Sequence, residues 1–497
     1  MSSLSINTHN EVSPEARSGL SAWKLDQMPL PPTPKGIGWL AVVGPGVIVL
    51  GASIGSGEFL LGPAVFVRLG LSLLWVTGIA IFLQTVFNTE LMRYTMATGE
   101  PVVTGFMRTR PSSTMWAWIY AILYLMQVGW PAWAGTAAGA VFFLFAQRLP
   151  VAADATTTYM IGVGTFLLCV ALLVVGRRIE RTLEVLNWIL VVCIIGGFLV
   201  LAVILVPLGT WLSALAGYTG YDTVHGKFSF LPEGADFFLL AALAAYSGAG
   251  GMINIVLSNW ARDKGYGMAK LAGYIPAAMN SEKMDLSHTG FTFVADTENM
   301  SRWRGWWRII RADQWGIFFI GAMLGMMLPA LLYVVLIPAG SDIRGPGISA
   351  TLAQGIGSIG GPFMSGLVAF LGVWILFKTQ LDILEGMVRS ITDILWTGSR
   401  RCRDWFGRDV KKLYYAVLAM VVLWGIIALR FAAPIILLQL SANMAGIILM
   451  FSSIHLLYIN TCLLPVAVRP AMWRRVALVF MSLFYGFFTV MSIRTLL

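Results

Sequence analysis

Apolar residues gather along this chain in eleven blocks, at about residues 38–67, 71–97, 115–147, 158–177, 182–206, 236–260, 313–338, 363–396, 413–431, 434–461 and 473–494. Short polar connections separate them. A helix needs roughly 20 residues to cross a ~30 Å hydrocarbon core, so each block predicts one membrane-spanning helix, and together they predict an all-α polytopic bundle. Two blocks are broken from within. The first carries Gly51 to Glu58, GASIGSGE, and the sixth carries Tyr246 to Gly251, YSGAGG.

The two breaks lie five spans apart. Successive units of five helices start on opposite sides of the membrane, so matching breaks in spans one and six predict two five-helix repeats of inverted topology. Residues 37–207 form the first repeat and 236–461 the second. A cytosolic tail (1–36), an extracytoplasmic loop (208–235), a cytosolic loop (261–312) and an eleventh helix (462–497) complete the layout. The competing reading is close helix packing through small residues, which fits Gly135 and Gly139 of AGTAAGA in span three. Backbone freed at membrane depth is tolerated where protein or a wet cavity satisfies it. The polar and small residues at the breaks are therefore candidate substrate-binding positions: Ser53, Gly55, Ser56 and Glu58 in span one, and Ser247, Gly251, Met252 and Asn254 in span six. Gln439 and Asn443, one turn apart in span ten, join them.

Charge inside the spans is sparse. Span eight carries Lys378, Asp382, Glu385, Arg389 and Asp393, whose spacing keeps them on one helical face. A charge at mid-membrane costs roughly 2.5–3.5 kcal/mol even on a lenient scale, so it must face the interior and find a partner. Glu58 could be satisfied by a bound cation, by Lys378 or by a proton, each compatible with ion-coupled transport. Glu58, Lys378, Asp382 and Glu385 thus form a candidate coupling network, with Lys378 paired either to Glu58 or to Asp382. Glu90 and Arg93 read as a helix-end pair.

Composition and charge agree with this picture. Of 497 residues, 58% are hydrophobic and 12% charged, and the mean hydropathy is +0.77, outside the range of soluble domains. The net charge of +10 is topological. Most Lys and Arg fall on the tail and on every second loop, including Arg177, Arg178 and Arg181, the run from Arg262 to Arg311, and that from Arg389 to Lys412. This places the N-terminus in the cytosol and the C-terminus outside, in a cytoplasmic (inner) membrane, and argues against nucleic-acid binding. The stretch MSRWRGWWRIIRADQW, from Met300 to Trp315, predicts a helix lying at the inner headgroup boundary. Cys169, Cys193, Cys402 and Cys462 have neither disulfide nor zinc spacing, and His9, His225, His288 and His455 are scattered.

GPGVIVLGASIGSGEF (44–59), LSLLWVTGIAIFLQ (71–84) and GRRIERTLEVLN (176–187) resemble the first, second and fifth spans of the natural resistance-associated macrophage protein (Nramp) family. The resemblance extends over nearly the whole membrane region and implies a LeuT-type fold, a divalent metal as substrate and a proton as driving ion. Family members hold the metal with an Asp and an Asn of the first break and a Met of the sixth span. Here those positions carry Gly55, Glu58 and Gly251, with Met252 one residue away, and Gln127 and Trp130 stand where the family has proton-path acids. Glu58 is the remaining metal-ligand candidate. The expectation is an Nramp-like secondary transporter working by alternating access on a divalent cation, one closer to Mg²⁺ than to Mn²⁺ or Fe²⁺ since only oxygen ligands remain. The alternatives are an ion-coupled carrier of a small organic solute, such as an amino acid or amine, and a non-transporting receptor or scaffold. No enzymatic motif, cofactor or obligate protein partner is expected, only a small ion or solute and the lipid bilayer.

Overall fold

The computed structural model describes residues 20–175, 179–232, 234–272, 290–345 and 347–496. His9, Arg17, Arg177, Arg178, Lys283 and His288 lie outside the described residues, as do the first three residues of the 176–187 stretch. Among the described residues ten helices are long and apolar enough to span a membrane: Pro45–Leu69, Leu71–Thr98, Ser113–Ala146, Ala152–Val174, Asn187–Leu205, Thr297–Leu336, Ile348–Gly398, Val410–Ala428, Pro434–Cys462 and Met472–Thr495. The sixth apolar block is divided between Phe237–Tyr246 and Met252–Asp263. Counting those halves as one span gives eleven. The protein is a multi-pass membrane protein of the LeuT-type plan.

Span one is buried along its whole length, and spans two and three over most of theirs, whereas spans four, five, eight, nine and eleven turn much of their apolar surface outward. That division follows from the solvent. In lipid an exposed Leu or Phe has no water to escape, so the outer helices need no polar face.

Several boundaries differ from expectation for identifiable reasons. Span one begins at Pro45, and its first turn is capped from outside. The Asp313 carboxylate of span seven accepts from the amides of Gly44 (2.9 Å) and Gly46 (2.8 Å), which supplies the orphan donors of a helix start with an anion. Span three bends at Gly129–Trp130–Pro131, where the proline has no N–H to continue the ladder. Span eight is preceded by a further helical stretch from Ile348, joined through Gly361 at φ 73° and Pro362.

The expected helix lying in the headgroup plane is not separate. Thr297–Arg311 runs directly into span seven. Its Trp303 and Trp306 are buried, not lipid-facing: Trp306 Nε1 donates to the Pro29 carbonyl (2.8 Å) and Arg302 to that of Met28 (2.7 Å). The tail segment is held there too by a short parallel pairing of Lys24–Leu25 with Phe291–Thr292. The helix is amphipathic, but its buried face packs in part on this chain's own N-terminal segment and not on lipid.

Candidate functional site

Span one passes through the middle of the bundle as three pieces, α-helix Pro45–Ser53, π-helix Ile54–Leu61 and α-helix Gly62–Leu69. The interruption read from GASIGSGE is therefore a widened turn and not an extended stretch. A π-turn bonds i to i+5, which brings Ser53 over Glu58, and the Ser53 hydroxyl donates to Glu58 Oε1. In an α-helix those two positions would point about 140° apart. Glu58 is fully buried. Its Oε2 has no hydrogen-bond partner, and no cation of the described residues lies within 4.0 Å of it. Ser56 is engaged by its neighbours, accepting from Trp133 Nε1 (2.8 Å) and donating to the Ala52 carbonyl (3.2 Å).

The glycines here serve proximity. A methyl group on Gly51 would lie 1.8 Å from Asn187 Oδ1, one on Gly55 2.2 Å from Thr379 Oγ1, and one on Gly57 1.9 Å from the Tyr246 carbonyl oxygen. Spans five, eight and six thus press backbone-close on one face or another of span one. None of the three has a positive φ.

Span six does unwind. Gly248, Gly250 and Gly251 have φ of 101°, 84° and 58°, the region that favours glycine. Two buried glutamines satisfy the freed backbone. Gln84 of span two donates through Nε2 to the carbonyls of Ala245 (3.0 Å) and Ser247 (2.9 Å) and accepts through Oε1 from the Gly250 amide (3.0 Å). Gln127 of span three donates to the Gly250 carbonyl (3.0 Å) and accepts from the Met252 amide (2.7 Å). Sequence reasoning passed over Gln84 and noted Gln127 only as a missing acid. An isolated amide in an otherwise apolar run was the available signal for both.

The remaining positions separate into several groups. Ser247 turns its hydroxyl to Leu243 of its own helix (2.7 Å), and Asn254 donates to Asn88 of span two (2.9 Å). Asn443 ties span ten to the Phe238 carbonyl (3.0 Å) and receives Ser492 of span eleven (2.7 Å), while Gln439 Nε2 is buried without a partner. Lys378 pairs with Asp382 and not with Glu58, and it also donates to Asn187 of span five. Its Nζ would lie 2.6 Å from a methyl on Gly51, so spans one, five and eight meet at this ammonium. Glu385 belongs to another group: it pairs with Arg389 (2.9 Å), which reaches Asp263 (2.6 Å) beside the Arg262–Asp393 pair (2.9 Å). The ladder in span eight is thus two networks. Glu90 and Arg93 form the expected pair (2.7 Å).

Between spans one, three, six and eight lies a cavity of about 10 Å³, walled by residues that include Ala52, Tyr124, Val128, Trp260 and Asp382. Room for one water takes roughly that much, and Glu58 is not among the residues of its wall. Among the described residues no group of three or more His, Cys, Asp or Glu could hold a metal ion.

No family model and no curated protein matches the chain. Solved structures do. Two mutant forms of the Eremococcus coleocola manganese transporter superpose with a TM-score of 0.67, and its complex with an aromatic bis-isothiourea substituted compound with 0.66. Each is 15% identical, over 95% of this chain and 91% of that one. The likeness establishes the fold.

Proposed function

We propose that this protein is a secondary active transporter working by alternating access, in which Glu58 binds the transported cation. The observation that carries this reading is the state of Glu58: a fully buried carboxyl at mid-span, held by Ser53 through one oxygen, with the other unpartnered and no cationic side chain of the described residues beside it. An isolated charge cannot rest in that environment, so the group must carry either a proton or a cation. Exchange of one for the other would couple the two gradients. Oxygen donors near the carboxyl include the Ser53 hydroxyl and, edging span one at Gly57, the Tyr246 carbonyl. That set suits a hard, partly hydrated ion such as Mg²⁺; it lacks the sulfur and paired acids that favour Mn²⁺ or Fe²⁺. Lys378, neutralised by Asp382 and held by Asn187, is in this reading a fixed cation tying spans one, five and eight. The charge bias of the loops supports a cytosolic N-terminus in an inner membrane.

One observation favours a second reading. Apart from Asp382, the cavity wall is largely aliphatic and aromatic, as a small organic solute would require once the site opened. Proteoliposomes separate the two, with uptake of Mg²⁺, Mn²⁺ and a panel of amines and amino acids measured with and without a pH gradient, for wild type and Glu58→Gln. Proton-linked Mg²⁺ uptake that disappears in Glu58→Gln is the expected result. Mn²⁺ uptake that survives the substitution would defeat the site assignment, and organic-solute flux indifferent to divalent ions would defeat the cation reading.

A further inference from the structure

We infer that a groove between the first turns of spans seven and eleven binds the headgroup of an anionic phospholipid. The groove is a wide, open one of about 550 Å³, lined by Arg308, Arg311, Ala312, Trp315, Trp473 and Arg474. Its level in the membrane follows from the sequence of both helices. Arg308 and Arg311 stand immediately before the apolar part of span seven, and Trp473 and Arg474 occupy the first turn of span eleven. Both walls therefore cross the headgroup boundary together, where tryptophan is at home.

Charge in the groove is uncompensated. Glu90 already receives Arg93 (2.7 Å), and Arg474 donates to that same carboxylate (3.0 Å) and to Thr89 (2.7 Å). Arg308 and Arg311 are exposed, and neither has a hydrogen bond or an acid within 4.0 Å among the described residues. Two free guanidinium groups and a third that is only partly spent thus face one cleft. Guanidinium forks match phosphate oxygens in pairs, and basic pockets between membrane helices are suited to phospholipid headgroups.

The third arginine is fixed in advance. Trp307 lies between Arg93 and Arg474, with guanidinium carbons 4.2 and 5.0 Å from the ring centre, and Trp473 covers Arg474 at 4.5 Å. A donor already ordered costs less to use. Directly beyond the groove, Val476, Phe480 and Leu483 of span eleven and Ile320 of span seven turn outward. Acyl chains anchored by the headgroup would lie along these side chains. A free phosphate would satisfy the arginines but leave that surface unused, so the lipid is the better fit.

The test is native mass spectrometry of the full chain, purified after exchange into equal parts phosphatidylglycerol and phosphatidylcholine, for wild type, for Arg308→Gln/Arg311→Gln and for Arg400→Gln/Arg401→Gln. The last pair removes the same charge from exposed arginines of a different basic loop. Wild type and the Arg400/Arg401 variant should retain phosphatidylglycerol selectively, with the preference falling roughly five-fold per arginine removed from the groove. An unchanged preference in Arg308→Gln/Arg311→Gln, or an equal loss in the control pair, would overturn the assignment. Adding inorganic phosphate tests the other source: displacement of the retained lipid at millimolar concentration would mean an anion site without lipid recognition, and would overturn it too.

Discussion

Two glycine-rich interruptions sit in spans one and six, and the backbone solves them in opposite ways. Span one stays helical, widening by a π-turn with every glycine at an ordinary φ. Its glycines are needed because neighbouring spans leave no room for a side chain. Span six abandons the helix between Tyr246 and Met252, and its glycines are needed for φ values that other residues resist. The freed amides and carbonyls are then closed by Gln84 and Gln127 from outside the span. Similar letters, Gly and Ser around a polar centre, thus do two jobs: one span provides a site for a carboxyl, the other a break braced by amides.

The largest effect should come from removing a brace. Gln127→Leu strips partners from the Gly250 carbonyl and the Met252 amide, and each unsatisfied buried group costs roughly 1–3 kcal/mol. The expected outcome is a drop in thermal midpoint in detergent large enough to deplete folded protein. Gln84→Leu should behave alike, and a variant that melts with wild type would show that the break is satisfied by other means.

Glycine replacements should fall next, and should tell the two spans apart. Gly57→Ala places a methyl against the Tyr246 carbonyl, a backbone atom with no freedom to swing aside, at a cost of about 1–3 kcal/mol or more for overpacking. Gly55→Ala meets the Thr379 side chain instead, so Thr379→Ala should recover part of the loss as a measurable coupling between neighbours. Gly250→Ala forces a positive φ on a residue with a Cβ, at roughly 1–2 kcal/mol. Trimming Tyr246, whose ring lies 2.4 Å from the added methyl, should relieve that contact alone and leave in place both the Ala245 carbonyl at 2.8 Å and the backbone cost. Thermal midpoints of the single and double variants check both statements, and equal rescue in the two spans would erase the distinction between them.

Much of the fold could be read from the chain because hydropathy reports length and depth directly. The eleven spans and the division of span six are examples. What the pattern could not convey was partnership. Trp303 and Trp306 have the spacing of a lipid-facing stripe, but both are buried, and Trp306 lies against Pro29 and Tyr266, distant in sequence. Asp382 and Glu385 look like one ladder in span eight, yet they divide between Asn187 of span five and the Arg389–Asp263 group. Gln84 left almost no trace, since one amide among apolar letters does not announce which backbone it serves. Glu58 was legible as a candidate for the opposite reason: an acid in an apolar run has to be explained by whatever surrounds it.

The smallest effect on stability is expected at Glu58 itself, and it is the sharpest test of the contrast. Glu58→Gln keeps an acceptor for the Ser53 hydroxyl, preserves the volume of the side chain and removes an ionisable group that no cation of the described residues neutralises. Without a bound cation the buried carboxyl holds a proton and is neutral, as the amide is, so the thermal midpoint should stay level. Gln127→Glu is the mirror-image change in the brace of span six. It keeps the acceptor for Met252 but replaces the donor to the Gly250 carbonyl with a buried acid, so its midpoint should fall. If both variants melted like wild type, the two interruptions would be energetically equivalent. If Glu58→Gln were the one to lose stability, the carboxyl would be a structural strut of span one and the cation-binding reading would lose its footing.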